Sequence, residues 1–262
     1  MYEQYQQIID EYLVLGIISK TKITTENCHY LNHHPVINEK KNSKIRIVFD
    51  GSCEGTNKKS INHHLYKGDV NFNIVKNMTL FRKGKYATVG DIAKAFLMVS
   101  VNPNDRKYLK FLWITKNNEL VAFKFNRVPF GTSSSPFLLF LSLLKIFTIN
   151  NCEEYFQYFY VDDFLYSDDD LDKVKEVSRN CTELLSKYGF CLSKFVSNYD
   201  NNENNIISVL GLNWRVDGDT IEIKSICTSN YHTPNQLSSL IARYFDIFGF
   251  ISPYLTYDSI II

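Results

Sequence analysis

The stretch from Tyr155 to Tyr166 reads YFQYFYVDDFLY, and its paired carboxylates constrain the fold more than any other feature of the chain. Aromatic and β-branched residues favour strands, so the stretch predicts two short strands that turn near Asp162 and Asp163. Adjacent carboxylates among apolar residues are costly unless positive charge lies against them. A divalent cation supplies that charge, because hard cations prefer oxygen ligands. An acidic hairpin tip in water explains the same residues, so both interpretations stay open here.

Composition narrows the classes of protein to which the chain can belong. The net charge of +1 gives no overall indication of nucleic-acid or membrane binding, so any basic surface must be local. Six cysteines without a CxxC pair indicate free thiols of a reducing compartment rather than disulfides or a zinc site. The polar N-terminus does not resemble a signal peptide, and the longest apolar run, 136–149, is too short to span a bilayer. We therefore expect no membrane partner.

A basic segment lies between residues 39 and 59, with six Lys or Arg against three acids. The alternation in KIRIVFD predicts a strand with Lys44, Arg46 and Val48 on one face. Such a face is usually only solvated. It also suits a triphosphate, because the planar guanidinium of Arg matches phosphate oxygens.

The middle of the chain predicts a strand (85–91), a helix (133–149), the 155–166 hairpin, a helix (171–188) and a strand (190–196). This is the split βαβ order of a ferredoxin-like fold. In that topology the strand ending at Asp91 lies beside the hairpin, so Asp91 meets Asp162 in one antiparallel sheet. A separated Asp and an Asp pair on one sheet are what a two-metal phosphoryl-transfer site needs.

Three other segments carry predictions of local structure. Asp168 to Asp170 precede an apolar periodicity and predict a helix start rather than metal ligands. Residues 209–224 predict a hairpin that turns at Asp217 and Gly218. Residues 234–248 predict a helix with proline in its first turn.

Here the motifs support a resemblance. The ordered set DIAKAF, PFGTSSSP, YVDD, GFCLSK and VLGLNW resembles the palm motifs of reverse transcriptases. The segments YLNHHPV, KIRIVFDGS, SINHHLYKGD and LSSLIARYFDIFGFISP resemble the polymerase of Pao/BEL long-terminal-repeat retrotransposons. The resemblance implies an α+β right-hand polymerase whose ferredoxin-like palm has an antiparallel sheet. It places fingers at 1–84 and 102–128, the palm at 85–101 and 129–224, and a partial thumb at 225–262.

The resemblance also implies an activity, RNA-directed DNA polymerisation on a primed RNA or DNA template with deoxynucleoside triphosphates. Asp91 and Asp162 would ligate two Mg²⁺ ions, or Mn²⁺, with Asp163 beside them and the Ile92 backbone facing the metal. Lys194 matches a palm lysine proposed to donate a proton to pyrophosphate, as a general acid. These residues form the expected catalytic and metal-binding set.

Further roles follow from the same resemblance. Contacts with the incoming nucleotide are implied for Lys44, Arg46, Ile92, Phe96, Phe130, Gly131 and Tyr160. Phe96 matches the steric gate, whose ring leaves no room for a ribose 2′-hydroxyl. Phe130 stands where some retroviral enzymes have Gln, so a hydrogen bond is not available there. Leu210, Gly211 and Trp214 match the hairpin that grips the primer end.

Two functions stay open at this stage. One is a working polymerase, and the other is an inactive, truncated retroelement remnant that at most binds nucleic acid. The chain ends within the expected thumb and has no ribonuclease H segment, so the resemblance implies a fragment of a longer Pol polyprotein. From the resemblance we expect the protein to be located in a cytoplasmic virus-like particle. Salt-dependent binding without synthesis would favour the remnant.

Overall fold

A computed structural model of the chain describes residues 1–38, 44–55, 58–70, 72–200, 206–223, 233–241 and 243–253. The helices are α1 (Tyr2–Val14), α2 (Ile61–His64), α3 (Ile74–Phe81), α4 (Ala95–Met98), α5 (Ser135–Ile149), α6 (Leu171–Lys187) and α7 (Pro234–Ile241). The strands are β1 (Ile18–Thr21), β2 (Asn32–Asn38), β3 (Lys44–Asp50), β4 (Tyr86–Ile92), β5 (Lys110–Ile114), β6 (Leu120–Phe125), β7 (Phe159–Tyr160), β8 (Asp163–Asp168), β9 (Leu192–Ser197), β10 (Ile206–Val209), β11 (Leu212–Arg215) and β12 (Thr220–Glu222). Short 3₁₀ helices cover Arg106–Tyr108 and Glu153–Tyr158.

Backbone contacts divide the chain into two compact units. The first unit combines Met1–Asn71 with Lys94–Cys152, and the second combines Phe72–Ala93 with Glu153–Ile262. Helix α5, predicted in the palm, belongs to the first unit, and α3, predicted in the fingers, belongs to the second. The division into fingers, palm and thumb stays a prediction.

The first unit contains the sheet β1-β6-β5 and the separate hairpin β2–β3. Along β3 the side chains of Ile45, Ile47 and Phe49 are buried, whereas Arg46 and Val48 are exposed. The predicted alternation is therefore confirmed for these residues, and the Lys44 side chain lies outside the described part of the chain. Phe49 packs edge-on against Phe111 and Phe125, which are buried in the core of this unit.

The second unit contains an antiparallel four-stranded sheet in the order β7-β8-β4-β9. Strand β4 thus lies between the hairpin and the last strand, which confirms the predicted split order. Asp170 caps the start of helix α6, and its carboxylate accepts hydrogen bonds from the backbone N–H groups of Asp172 and Lys173. This cap confirms the predicted helix start. A second sheet has the order β10-β11-β12, so the predicted hairpin turning at Asp217 and Gly218 is present.

Two predicted elements were wrong in part. Residues 155–158 do not form a strand, because Glu153–Tyr158 is a 3₁₀ helix and the hairpin begins only at Phe159. The helix predicted over 234–248 ends at Ile241. Beyond it, the Asp246 carboxylate accepts hydrogen bonds from the backbone N–H groups of Phe250, Ile251 and Ser252, which favours a turn over a continued helix.

Helix α5 is the apolar helix predicted over 133–149. Its inner face buries Leu139, Leu143 and Phe147, whereas Leu141 and Ile149 on the opposite side are exposed. Within the part of the chain that the structure describes, α5 and the other helices all fall short of what crossing a membrane requires.

Candidate active site

Two strand ends bring three aspartates together in the second unit. Strands β4 and β8 run antiparallel with Asp91 directly opposite Asp163. Beside this pair, the backbone N–H of Ile92 donates a 2.9 Å hydrogen bond to the Asp162 carbonyl oxygen. The prediction that Asp91 meets the acidic pair within one antiparallel sheet is confirmed. The side chain of Ile92 is buried, so any contact that Ile92 makes with a ligand at this site would be through its backbone.

The turn that carries Asp162 has an unusual backbone. Val161 has a φ of 56°, in the left-handed region that β-branched residues rarely adopt. Such strain persists only where surrounding contacts hold the chain. Here the buried Asn77 side chain donates hydrogen bonds to the carbonyl oxygens of Gln157 (3.0 Å) and Phe159 (3.3 Å). Asn77 was missed from the sequence, although an Asn among the apolar residues of α3 was a usable signal.

Lys194 reaches the site through an irregularity in β9. The register between β4 and β9 shifts between Val89 and Asp91, and Lys194 has a left-handed φ of 55°. Its ammonium group forms an ion pair with the Asp91 carboxylate. The next residue, Phe195, lies over Gly90, where an added Cβ would come within 3.1 Å of the ring. The bulge therefore aims Lys194 at Asp91.

The electrostatics of the site are unfavourable without added positive charge. Burial, together with the negative charges of Asp162 and Asp91, raises the pKa of Asp163 to about 6. Burial also raises the pKa of Asp162, and Asp91 adds to that effect. Lys194 opposes both shifts but pairs directly only with Asp91. Among the residues that the structure describes, Asp162 and Asp163 form no ion pair.

The donor set fits a divalent cation in chemistry, but the side chains are not already gathered around one point. No group of three or more His, Cys, Asp or Glu side chains in the described ranges is arranged as a metal-binding cluster. The Asp91 carboxylate is instead paired with the ammonium group of Lys194. Partly buried carboxylates that lack a counter-ion are nevertheless the oxygen ligands that Mg²⁺ and Mn²⁺ prefer.

Most of the predicted nucleotide contacts lie in the first unit. Phe96 and Phe130 pack edge to face with ring centroids 4.9 Å apart, and Phe130 is 43% exposed. Gly131 has a φ of 92°, and a Cβ there would lie 1.8 Å from the Phe49 carbonyl oxygen, so only glycine fits. Arg46 is exposed on β3. These four residues all belong to the first unit, although the resemblance places Arg46 in the fingers and the other three in the palm, and their contacts with a nucleotide stay predictions.

Like Ile92, Tyr160 is a predicted nucleotide contact that lies in the second unit. It sits opposite Asp163 in the β7–β8 register, and its ring lies 5.3 Å from that of Phe72. The ring is half-buried. Tyr160 therefore lies beside the acidic pair, and its contact with the incoming nucleotide stays a prediction.

The predicted primer-gripping residues differ in exposure. Leu210 and Gly211 form the tight turn between β10 and β11, both with positive φ. Trp214 is fully buried, packs edge-on against Phe81, and donates a 2.9 Å hydrogen bond to Asp219. If this hairpin contacts a primer, the contact must therefore be made by the turn at Leu210 and Gly211. Trp214 instead stabilises the hairpin from its buried side.

Comparison with known protein families identifies a match to this chain. The family model described as reverse transcriptase (RNA-dependent DNA polymerase) matches residues 37–195, which is more than half of the chain. The range includes Asp91, Asp162, Asp163 and Lys194 and ends before the Leu210 turn. The model covers reverse transcriptases as a class, so the Pao/BEL branch stays a prediction. A search of curated proteins found no match.

Proposed function

Because the chain belongs to the reverse transcriptase (RNA-dependent DNA polymerase) family, we propose that it adds deoxynucleotides to the 3′ end of a primer on an RNA template. The family consists of RNA-directed DNA polymerases, which are nucleotidyltransferases. One observation carries the proposal: Asp91 and Asp163 face each other across β4 and β8, with Asp162 beside them, inside the matched range. A DNA template is equally compatible with this chemistry.

We expect Asp91, Asp162, Asp163 and the Ile92 backbone to hold two divalent cations, Mg²⁺ or Mn²⁺. When bound, such ions stabilise the attacking and leaving oxygens of an in-line phosphoryl displacement. The contribution of the protein is to hold three carboxylates together despite their repulsion. Burial raises the pKa of Asp162 and of Asp163, and Lys194 only partly opposes this, so added positive charge would favour their ionised forms.

Lys194 is the proposed general acid. Its ammonium group lies on the Asp91 carboxylate, so it is held at the site where the leaving group forms. Transfer of a proton from Nζ to the departing pyrophosphate oxygen would neutralise the charge that develops there. The left-handed backbone of Lys194 supports a functional placement, because a strained residue persists where its position matters.

The first unit supplies the proposed nucleotide contacts. Arg46 is exposed, so it can offer its guanidinium to triphosphate oxygens. Phe96, supported by the Phe130 ring, acts as the gate that excludes a 2′-hydroxyl. Gly131 follows Phe130 in the turn proposed to contact the nucleotide and template, and its lack of a Cβ lets this turn pack on the Phe49 carbonyl oxygen.

We also propose an origin in a Pao/BEL-type retrotransposon polyprotein. The HHPV segment that supports this lineage lies in β2, where His33 is an internal residue. Its Nε2–H donates to the Leu112 carbonyl oxygen, and its Nδ1 accepts a hydrogen bond from the Tyr5 hydroxyl. Burial lowers the pKa of His33, which favours this neutral tautomer. His33 therefore has a structural role in the first unit. A residue that marks a lineage can have such a role.

Template-directed extension tests the proposed function. A DNA primer annealed to an RNA template is incubated with Mg²⁺ and each deoxynucleotide separately. We expect extension only by the nucleotide complementary to the next template base, and none with excess chelator. Extension that ignores the template, or its absence from folded protein that binds primer–template, would contradict the proposal. Binding that weakens steeply with salt, without synthesis, would identify an inactive remnant.

A further inference from the structure

Asn62, in α2 of the first unit, connects three separate segments through one side chain. Its Nδ2 donates hydrogen bonds to the Gly131 carbonyl oxygen (3.2 Å) and to the Ser52 hydroxyl (3.0 Å). Its Oδ1 accepts a hydrogen bond from the Ser133 backbone N–H (2.8 Å). The Asn62 backbone N–H donates to the Gly51 carbonyl oxygen at 3.0 Å. The residue therefore joins the end of β3 to the turn before α5.

The partners of Asn62 require an amide at this position. Ser133 presents an N–H, so the atom facing it must be an acceptor, whereas the Gly131 carbonyl requires a donor. Aspartate has the same shape but no donor. A carboxylate in place of the Asn62 amide would put negative charge against the Gly131 carbonyl oxygen and lose both donated bonds.

Backbone packing and a further hydrogen bond also restrain the turn that Asn62 holds. The Gly131 backbone lies against the Phe49 carbonyl oxygen, and a Cβ on Gly51 would come within 2.5 Å of the Gly131 oxygen. The Ser135 hydroxyl donates a 2.8 Å hydrogen bond to the Pro129 carbonyl oxygen. Backbone packing therefore sets how close the turn lies to β3, and Asn62 fixes the direction of the turn just after Phe130.

We propose that Asn62 is a positioning residue for sugar selection: by holding Gly131 and Ser133, it keeps the Phe130 ring against Phe96. The two rings lie edge to face, 4.9 Å apart, and Phe130 is 43% exposed, so the turn contributes to holding its ring in place. Release of the turn lets Phe130 withdraw and gives the Phe96 ring room to move away from a 2′-hydroxyl. The inference rests on the proposed function, in which Phe96 is the gate.

The test compares Asn62→Asp with the wild-type chain in single-nucleotide extension. The ratio of kcat/KM for a deoxynucleotide to that for its ribonucleotide is measured for each protein. We expect the ratio to fall by roughly ten-fold, the effect of about one lost hydrogen bond to a charged or polar group. A merely structural loss would lower both rates together and leave the ratio unchanged.

Two further variants isolate the path of the effect. Ser52→Ala removes one partner of Asn62 but leaves the bonds to Gly131 and Ser133, so it should keep the wild-type ratio. In a Phe130→Ala background, Asn62→Asp should change the ratio no further, because the ring through which Asn62 acts is gone. Hydrogen exchange at the Ser133 amide, measured without substrate, should be faster in Asn62→Asp than in the wild type.

The outcomes separate this inference from the proposed function. A wild-type chain that prefers deoxynucleotides, with an Asn62→Asp variant that keeps the same ratio, would overturn the inference alone. An Asn62→Asp effect that persists undiminished in the Phe130→Ala background would also overturn it. A folded wild-type chain that incorporates neither kind of nucleotide would overturn the proposed function and this inference with it.

Discussion

Asp91 lies directly opposite Asp163 in the register of β4 and β8, although α4, α5 and three strands separate them along the chain. Partial burial of the Asp163 carboxylate disfavours its charged form, and repulsion from Asp162 and Asp91 adds to the cost. The consequence is the raised pKa of Asp163, about 6. The protein therefore holds its acidic site at the expense of stability, and that cost can be measured.

The first prediction concerns stability in the absence of metal. The folded pKa of Asp163 lies above the ordinary value of 3.8 for Asp. Its contribution to stability is therefore fully present below about pH 4 and is lost as pH rises through about 6. The Asp163→Asn variant has no carboxyl group to ionise at this position, so it avoids this loss of stability. At pH 8 it should therefore be more stable than the wild type, by at most about 2 kcal/mol after solvent screening. Thermal unfolding with chelator at pH 4, 6 and 8 measures the difference.

Asp69→Asn is the matched control, since Asp69 is an exposed aspartate of the first unit. It should leave the pH dependence of unfolding unchanged. An Asp163→Asn variant that is less stable than the wild type at pH 8 in chelator would show that the carboxylate is not destabilising. Added Mg²⁺ should stabilise the wild type more than the variant, because a ligand that binds the folded state raises the unfolding temperature.

A second prediction concerns the ammonium group of Lys194. Lys194→Met removes the proposed proton donor and the partner of Asp91 while keeping a long aliphatic side chain. We expect the rate of single-turnover primer extension to fall by roughly 10²-fold, the lower end for general acid catalysis. Lys187→Met, which changes an exposed lysine in the last turn of α6, is the control. Equal rates for Lys194→Met and the wild type would refute the acid role.

The third prediction concerns Trp214, which is fully buried. Trp214→Phe keeps an aromatic ring but removes the hydrogen bond to Asp219 and leaves a small cavity. We expect the free energy of unfolding to fall by about 1–3 kcal/mol. Phe250→Leu, at a 71% exposed aromatic residue, should change it little. Chemical denaturation measures both, and an unchanged stability of Trp214→Phe would mean that neither the hydrogen bond to Asp219 nor the larger ring stabilises the fold.

The sequence predicted the centre of the site because topology alone determines it. A split βαβ order puts the first strand next to the hairpin, so Asp91 had to lie near Asp162 and Asp163 once the elements were assigned. Periodicity also identified the inner face of α6, where Val174, Cys181 and Leu185 are buried. These features depend on the chain order and on repeating patterns, which a single sequence contains.

Features that depend on individual side-chain partners were not predicted. The aromatic run at 155–158 favours a strand by propensity, but Asn77 binds the Gln157 carbonyl oxygen and Tyr158 packs against Tyr166 with ring centroids 4.5 Å apart. Tertiary contacts therefore override propensity there. The contact of Lys194 with Asp91 needs a bulge in β9, and bulges leave no pattern in a sequence. Asn62 was likewise unrecognised, because its partners lie in two other segments.

Primer extension by Asp162→Asn tests the central claim most directly. The variant keeps the size of the side chain and removes one charge of the proposed metal site. We predict that extension on an RNA template with Mg²⁺ falls at least roughly 10²-fold, as expected when charge stabilisation of the transition state is lost. Asp169→Asn, at an exposed residue near the start of α6, should extend at the wild-type rate. Equal extension by Asp162→Asn and the wild type would contradict the assignment of this site.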